Sequence, residues 1–248
     1  MRLKENIPLP GMLNSIIEKG KFFFLKKADV STVVGVMSGE ALGRENDLLV
    51  KRFNSKGFMD FLFKKAFGSR AVRLWKINQR LYEKGLPVPV PVCYIEPTFR
   101  QRHSFFLSSV VENSINLSSL YNKGGSEPLK VAPLVAKTIA RWHLAGAVHG
   151  DMKWPNIVLR KNGEEWEIFF VDLDQTKLYK KPKIKGMIKD LVRFYRYGLE
   201  SDAKYWVDSF FMPEYMKSIP YDLKSLIDAS RIEKESVREW HKKGQKRY

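Results

Sequence analysis

The chain has 248 residues, 44% of them hydrophobic and 13% aromatic, which suits one domain or two lobes that share a cleft, with a sizeable apolar core. It carries 44 Lys and Arg against 27 Asp and Glu, a net charge of +17 that attracts polyanions in general without choosing among nucleic acid, anionic lipid and phosphorylated glycolipid. A single cysteine, Cys93, excludes an internal disulfide and a thiolate cluster for a metal, and is expected to be a small core residue.

Neither a membrane span nor a secretory leader is expected. The longest apolar runs, such as residues 22–25 and 168–171, are far shorter than the roughly 18 residues that cross a bilayer. Residues 1–6 lack the apolar segment and small-residue cleavage site of a secretory signal. These features predict a cytosolic protein.

The first part of the chain predicts a β-rich region with one helix. The strand candidates either alternate between apolar and polar residues or are continuously apolar, and turn-rich segments separate them. The helix candidate ends at Gly85. The strands are predicted at 22–25, 32–36, 48–53, 92–96 and 104–111, and the helix at 69–84. Apolar character ends at Glu112, as it would at a hinge between two lobes.

Four positions in this region are candidates for nucleotide binding. Lys51 lies on an apolar strand just before a loop and a helix, where a lysine can reach the α- and β-phosphates of ATP. Gly35 and Gly39 suit either a phosphate-covering loop or ordinary turns, and both interpretations stay open. The backbone at Glu112 is the natural edge for adenine.

The second part contains the pattern His-Gly-Asp-x-Lys-x-x-Asn at residues 149–156. A helix predicted at 133–145 leads to it, and two strands joined by a turn at 162–163 follow and end at Asp172. This spacing brings together an acceptor-orienting carboxylate, Asp151, a phosphate-neutralising ammonium, Lys153, and a metal-binding amide, Asn156. Asp172 would be the second Mg²⁺ ligand. An ordinary turn is the competing interpretation, but the order of the flanking elements disfavours it.

His143 and His149 are expected to be hydrogen-bonded anchors in the core or a loop, because neither has a partner at ligand spacing. A run of lysines from Lys177 to Lys189 follows Asp174. It fits a solvated face, or a surface for substrate or membrane, and both remain open. Further helices are predicted at 185–197, 203–215 and 223–243.

Four features follow one another along the chain: Lys51, the helix end Leu81–Pro89 with its phrase Gly-Leu-Pro-Val-Pro, the segment His149–Asn156 and the triplet Asp172–Asp174. With these features in this order, the sequence resembles the lipopolysaccharide core kinase family. That family includes the Kdo kinases and core heptose kinases of Gram-negative bacteria. The resemblance implies an α+β, compact, two-lobed protein-kinase-like fold. Its N-terminal lobe, residues 1–113, would be an antiparallel β lobe with one helix, and its C-terminal lobe, residues 114–248, mainly helical.

The resemblance also implies roles for single residues. Asp151 would orient the acceptor hydroxyl and accept its proton, and Lys153 would neutralise the transferring phosphoryl group. Asn156 and Asp172 would hold Mg²⁺, and Lys51 would bind the phosphates of ATP. Two positions depart from the pattern. Gly150 replaces the Arg that precedes the catalytic Asp in protein kinases, and Leu74 stands where the family has a Glu that pairs with the strand lysine. Either Glu40, Glu45 or another acid takes the place of that Glu, or Lys51 lacks this partner.

These observations favour an ATP- and Mg²⁺-dependent kinase that acts on a sugar hydroxyl of the lipopolysaccharide inner core, Kdo or heptose. It would work at the cytoplasmic face of the inner membrane, where the basic surface meets an anionic glycolipid and the membrane surface. One alternative is a soluble small-molecule phosphotransferase of the aminoglycoside kind, although a cationic acceptor would need an acidic pocket. Another is a pseudokinase scaffold or envelope regulator that binds nucleotide without transfer. Nucleic-acid binding rests on charge alone, and no specific nucleic acid is expected.

Overall fold

The computed structural model describes residues 22–26, 32–39, 46–54, 68–97 and 103–245. These residues form two compact units. The first runs to Glu83 and includes Pro89–Val110, and the second contains Lys84–Val88 and the chain from Val111 onward. The short segment Lys84–Val88 belongs with the second unit because Arg141 donates a hydrogen bond to the Gly85 carbonyl, and the Phe170 N–H donates to the Pro87 carbonyl at 2.8 Å.

The first unit is a five-stranded antiparallel sheet with one helix. Its elements are β1 (Phe22–Lys26), β2 (Thr32–Met37), β3 (Leu48–Phe53), α1 (Arg70–Glu83), β4 (Pro91–Ile95) and β5 (Ser104–Ser109). The spatial order is β1-β2-β3-β5-β4. All five predicted strands and the helix are confirmed, with ends that shift by one or two residues.

Alternation along the strands gives this sheet two distinct faces. One face carries a buried apolar cluster: Val33, Met37, Leu48, Val50, Cys93, Ile95, Phe105 and Leu107. The other face carries Phe53 and Tyr94, which contact α1 through Arg70, 4.7 Å from the Phe53 ring centre, and Trp75, 5.1 Å from the Tyr94 ring centre. Helix α1 begins after Ser69, whose hydroxyl accepts the Val72 N–H at 3.2 Å.

The second unit combines small β ladders with helices. Its strands are β6 (Ser114–Asn116), β7 (Ala147–Val148), β8 (Ile157–Asn162), β9 (Glu165–Phe170) and β10 (Lys177–Leu178). Its helices are α2 (Leu117–Asn122), α3 (Glu127–Leu144), α4 (Ile184–Glu200), α5 (Lys204–Trp206), α6 (Met212–Ser218), α7 (Tyr221–Lys224) and α8 (Ala229–Gln245), with a π-helical segment, Val207–Phe211, between α5 and α6. Antiparallel β6-β8-β9 form one sheet, and β7 pairs with β10.

Buried aromatic rings fill the second unit. Trp154 is fully buried, and its ring lies 5.6 Å from Phe194, 5.1 Å from Trp206 and 5.4 Å from Tyr121. These rings come from α4, α5 and α2, so the core forms around the segment that follows Asp151. Across the described ranges, no helix is both long enough and apolar enough to cross a membrane.

Candidate active site

The segment from His149 to Asn156 lies between β7 and β8. Gly150 has φ +81°, a conformation that favours glycine, and a Cβ there would approach the Gln175 carbonyl oxygen to 2.7 Å. No larger side chain fits without moving the segment after β9. The glycine that replaces the usual Arg is therefore required by the local backbone.

The Asp151 carboxylate is held by two side chains that follow it. Lys153 Nζ lies 2.8 Å from Asp151 Oδ2, and Asn156 Nδ2 donates to the Asp151 carbonyl at 2.9 Å and to Oδ2 at 3.2 Å. The side chains of Asp151 and Lys153 are 22% and 33% exposed, so both remain accessible to a reactant. The structure thus brings together the three residues that the spacing predicted.

Asp172 is tied to this segment through the residue before it. The Val171 N–H donates to the Asn156 carbonyl at 3.0 Å, and the Val171 carbonyl accepts from His149 Nε2 at 3.0 Å. Both ends of the segment from His149 to Asn156 therefore hold the backbone from which Asp172 extends. Asp172 has φ +60° and ψ +54°, a left-handed conformation that is uncommon outside glycine but that Asp adopts more often than most residues.

His149 is a buried anchor, as predicted. Its Nε2–H donates to the Val171 carbonyl, which leaves Nδ1 to accept the Asp151 N–H at 3.3 Å. Burial lowers the pKa of His149 below its ordinary value, against the opposing charges of Asp190, Asp151 and Asp172. The ring is therefore neutral at physiological pH and fixes the loop by hydrogen bonding.

Asp190, on α4, is a site residue that the sequence analysis missed. It is fully buried, and its Oδ2 and Oδ1 accept the backbone N–H groups of His149 at 2.6 Å and Gly150 at 2.8 Å. One carboxylate thus fixes two successive amides directly before Asp151. The available signal was its position on the buried face of an amphipathic helix, between Met187 and Phe194.

A family model now adds to this geometry. The model described as the lipopolysaccharide kinase (Kdo/WaaP) family matches residues 34–209, well over half of the chain. This chain belongs to the lipopolysaccharide kinase (Kdo/WaaP) family. The matched range contains Lys51, the whole segment His149–Asn156, Asp172 and Asp190.

Individual relatives are more distant. A 3-deoxy-D-manno-octulosonic acid kinase of Xylella fastidiosa (strain M23) is 25% identical over 157 residues, which are 62% of this chain and 60% of that kinase. The chain therefore aligns with less than two thirds of the length of this curated relative.

Solved structures show the same fold. The structure titled "WaaP in complex with acyl carrier protein" has a TM-score of 0.65 and 18% identity, and the match covers 98% of this chain and 99% of that one. An aminoglycoside-3'-phosphotransferase of type VIII gives a TM-score of 0.53 at 14% identity, with coverage of 91% and 98%. These likenesses confirm the predicted protein-kinase-like α+β fold.

Lys51 lies in the first unit, on the central strand β3. It is buried, pairs across the sheet with Val34 and Phe106, and has its ammonium 5.8 Å from the Phe53 ring centre. By strand alternation it shares with Phe53 the face that α1 covers. This is the placement expected of a family lysine that reaches for phosphate, and its role stays a prediction.

Leu74 is the position at which the sequence is expected to depart from the family pattern. Leu74 lies on α1 and is 5% exposed, so it contributes to apolar packing. Glu40 and Glu45, the acids considered as substitutes, lie outside the described residues.

The remaining predicted nucleotide contacts have ordinary structural surroundings. Gly35 lies inside β2, opposite Phe24 and Val50, and the Gly39 N–H donates to Asp47 Oδ1 at 2.9 Å. This placement favours the turn and sheet interpretation of both glycines, and their contact with phosphate stays a prediction. Glu112 lies in an exposed turn before β6.

The predicted metal ligands supply hard oxygen atoms. Asn156 donates through Nδ2 to Asp151, which leaves its Oδ1 as a possible ligand, and Asp172 offers a carboxylate on the adjoining backbone. Within the part of the chain that the structure describes, no group of three or more His, Cys, Asp or Glu could hold a metal by itself. The donors therefore fit Mg²⁺ that takes its other ligands from phosphate and water.

Six exposed lysines follow Asp172 in the second unit, along β10 and the start of α4. We call this set the basic ridge: Lys177, Lys180, Lys181, Lys183, Lys185 and Lys189. Among the described residues, no carboxylate forms an ion pair with any of the six. Lys177 lies on β10 opposite Val148 of β7, which leads directly to His149, so this end of the ridge adjoins the segment from His149 to Asn156.

Proposed function

We propose that this protein transfers the γ-phosphoryl group of Mg²⁺-ATP to a hydroxyl of a Kdo or heptose sugar in the lipopolysaccharide inner core. The observation that carries the proposal is the Asp151 carboxylate, oriented by Lys153 and Asn156 and joined through Val171 to Asp172. Membership of the lipopolysaccharide kinase family supports the choice of acceptor class.

Each residue of the catalytic segment would have one task. Asp151 would accept a hydrogen bond from the acceptor hydroxyl, align it for attack and take its proton at a carboxylate oxygen. Lys153, whose ammonium lies 2.8 Å from that carboxylate, would turn toward the transferring phosphoryl oxygens. Positioning and charge stabilisation would supply most of the rate enhancement, as in other phosphoryl transfer sites.

Four groups would hold the cofactor: Lys51, Asn156, Asp172 and the backbone near Glu112. Asn156 and Asp172 would ligate Mg²⁺ through oxygen, Lys51 would pair with the α- and β-phosphates, and the backbone near Glu112 would face adenine. When bound, Mg²⁺-ATP supplies the phosphoryl group and neutralises charge on the phosphate oxygens.

The basic ridge would recognise the acceptor. Lipopolysaccharide precursors present phosphates and sugar carboxylates at an anionic membrane surface, and a row of lysines that form no ion pair with any described carboxylate complements such groups. We therefore propose peripheral attachment at the cytoplasmic face of the inner membrane, with the ridge toward the lipid headgroups. The Xylella relative, named a 3-deoxy-D-manno-octulosonic acid kinase, makes Kdo the first acceptor to test.

The test is ATP-dependent phosphate transfer to a purified Kdo-bearing lipid A precursor, run beside the heptose-extended inner-core glycolipid and an aminoglycoside. Transfer to one glycolipid, absent in Asp151→Ala, is the expected result and identifies the sugar. Transfer only to the aminoglycoside would move the protein to the small-molecule phosphotransferases. No transfer, with Mg²⁺-ATP bound in a thermal-shift assay, would favour the pseudokinase scaffold, for which buried Leu74 is the structural motive.

A further inference from the structure

The side of the first unit's sheet that α1 covers contains several buried polar side chains. Strand alternation places Lys51, Ser104 and Ser108 on this side, because the residues beside them belong to the apolar cluster on the opposite face. All three are buried, and α1 adds Asn78, which is 2% exposed. We call these four residues the buried polar layer. Buried polar groups are costly unless they are hydrogen-bonded, so the layer indicates a function beyond packing.

Asn78 lies in the middle of the buried face of α1. Ala71, Leu74, Asn78 and Leu81 recur every three or four positions and form one buried stripe, in which Asn78 is the polar member. Its Oδ1 is buried and accepts no hydrogen bond from any residue that the structure describes. Leucine would pack in this stripe without an unpaired carbonyl. The amide therefore indicates a donor that reaches it in another state of the protein.

Lys51 is the donor whose position and chemistry fit best. Lys51 pairs across the sheet with Phe106, and Phe106 pairs with Tyr94, so the three residues form one row. Trp75 lies 5.1 Å from the Tyr94 ring centre, which places this turn of α1 over the row. Asn78 follows Trp75 by three positions, about 4.5 Å along the helix axis. An ammonium has three N–H donors, so it can bond Asn78 and still contact phosphate.

The two serines of the buried polar layer fit less well. Ser104 pairs with Phe53, whose ring centre lies 4.7 Å from the Arg70 guanidinium at the start of α1. Asn78 follows Arg70 by eight positions, about 12 Å along the helix. Ser104 Oγ also has no hydrogen-bond partner among the described residues, so it does not bond Asn78. The Ser108 hydroxyl is the competing donor, and its removal is part of the test.

We infer that Asn78 is a positioning residue for Lys51, and that its side-chain carbonyl accepts a hydrogen bond from the ammonium when nucleotide phosphate is bound. Leu74, one turn earlier on the same stripe, is apolar and offers no acceptor. An amide holds the ammonium without neutralising it, so the full positive charge stays available for the α- and β-phosphates. This inference rests on the nucleotide-binding role of Lys51 in the proposed function.

Binding of Mg²⁺-ADP tests the inference, because ADP carries the two phosphates that Lys51 would contact and no group to transfer. Asn78→Leu supplies an apolar side chain of the same shape, Asn78→Asp keeps an oxygen acceptor, and Lys51→Met removes the ammonium. Ser104→Ala deletes the other buried polar atom without a described partner and is the matched control. Ser108→Ala removes the competing donor. Adenosine, which has no phosphate, is the control ligand.

The expected result is a Kd for Mg²⁺-ADP about tenfold higher in Asn78→Leu, because hydrogen bonds to charged groups are among the stronger ones, with the Kd for adenosine unchanged. The melting temperature of this variant should not fall, since an unpaired buried carbonyl is removed. In the Lys51→Met background, Asn78→Leu should have no further effect on ADP binding. Asn78→Asp, Ser104→Ala and Ser108→Ala should each bind ADP within about twofold of wild type.

Four results would overturn the inference alone. These are an unchanged Kd for Mg²⁺-ADP in Asn78→Leu while Lys51→Met binds more weakly, an equal loss for ADP and adenosine, a loss in Asn78→Leu that persists in the Lys51→Met background, and an equal loss in Asn78→Asp or Ser108→Ala. A different result separates the proposed function from the inference. If Lys51→Met binds Mg²⁺-ADP as tightly as wild type, the proposed role of Lys51 is contradicted and the inference falls with it.

Discussion

At the scale of single residues, Asp172 combines an unusual backbone with a predicted ligand role. Its backbone is left-handed, and it directly follows Val171, whose N–H donates to the Asn156 carbonyl. Asp172→Asn keeps this backbone accessible, because Asn adopts the left-handed region as readily, but removes the charge. We expect the variant to lose Mg²⁺-dependent stabilisation by ATP in a thermal-shift assay.

Asp202 provides the matched control. It is also an aspartate with a left-handed backbone, φ +53°, in the turn after α4. Asp202→Asn should keep the full Mg²⁺-ATP shift. An undiminished shift in Asp172→Asn would remove Asp172 from the metal site.

His149 predicts a pH dependence of stability. Burial lowers the pKa of His149 in the folded state below the ordinary value of 6.5. As the pH falls below 6.5, the His149 side chain of the unfolded chain takes up a proton that the folded chain does not bind. The folded state therefore loses stability as the solution becomes more acidic. The melting temperature should therefore fall between about pH 7 and about pH 5, and less steeply in His149→Gln.

The exposed His241 supplies the comparison, since His241→Gln removes a titrating imidazole without changing a buried one. Its melting temperature should follow the wild-type slope. Parallel slopes for wild type and His149→Gln would show that His149 does not carry this proton linkage.

The chemistry of the site was predictable from the sequence where spacing alone determines proximity. Asp151, Lys153 and Asn156 lie within one short loop, so their contacts follow from the pattern. Asp190 was not predictable in this way, because it comes 39 positions after Asp151. It lies on α4, and only the packing of this helix brings it beneath the loop.

At the scale of secondary structure, the helix before the catalytic segment shows how local signals mislead. Pro133 indicated a start near residue 133, but α3 begins at Glu127 and continues through that proline. Proline removes the N–H that would bond the Leu129 carbonyl, and Leu129 is 45% exposed, so water can replace the lost bond. Whether a proline ends a helix therefore depends on the solvent exposure of the carbonyl one turn before it, which cannot be seen in the sequence.

The last helices in the chain also differ from the predicted ones, because of helix capping and packing. The helix expected at 223–243 is split into α7 and α8, because the Asp228 carboxylate accepts the N–H groups of Ser230 and Arg231 and starts a new helix. The helix expected at 203–215 contains the π-helical segment Val207–Phe211. Phe211 is buried there, whereas Phe210 is only half-buried.

The contact between α4 and β7 leads to a prediction that is opposite to the usual effect of replacing glycine by alanine in a helix. Gly186, in the first turn of α4, would place a Cβ 2.4 Å from Val148 Cγ2. Gly186→Ala would stabilise an open helix position by about 0.5–1 kcal/mol, yet here we expect a loss of about 1–3 kcal/mol in the free energy of unfolding. Chemical denaturation monitored by circular dichroism measures the change.

A second substitution separates this clash from other causes. Val148→Ala removes the two methyl groups that Gly186→Ala would meet, so the double variant should be more stable than the sum of the single changes predicts. Additive losses would show that α4 does not press against β7 at this point.

At the scale of the whole molecule, the net charge of +17 includes the basic ridge, in which no lysine has an ion-pair partner among the described residues. Each lysine near an anionic surface contributes about 1 kcal/mol of attraction. Reversing charge at Lys180, Lys181 and Lys183 should therefore weaken binding to vesicles of anionic glycolipid by about a hundredfold or more. Vesicle cosedimentation at physiological salt measures the loss.

Net charge alone has to be excluded as the cause. Charge reversal at Lys123, Lys137 and Lys161, which are exposed elsewhere in the second unit, changes the total by the same amount. That variant should bind far better than the ridge variant. Equal weakening in both would show that the ridge has no special role, and unaltered binding of the ridge variant would make it a solvated face.

Fold and family were accessible from the sequence because short, ordered motifs specify them. The order of strand lysine, catalytic segment and terminal aspartate predicted the kinase-like fold that solved structures confirm. The division into units was not fully accessible, since Lys84–Val88 joins the second unit through hydrogen bonds from Arg141 to Gly85 and from Phe170 to Pro87, partners that are 56 and 83 positions apart.

The central claim is that Asp151 prepares an acceptor hydroxyl for phosphoryl transfer, and steady-state kinetics of Asp151→Asn test it most directly. With the glycolipid that the wild type phosphorylates, we predict a kcat about a thousandfold lower, because a general base contributes roughly that factor, and a KM for ATP close to wild type. A variant that keeps a kcat within about tenfold of wild type would contradict the assignment of Asp151 as the catalytic base.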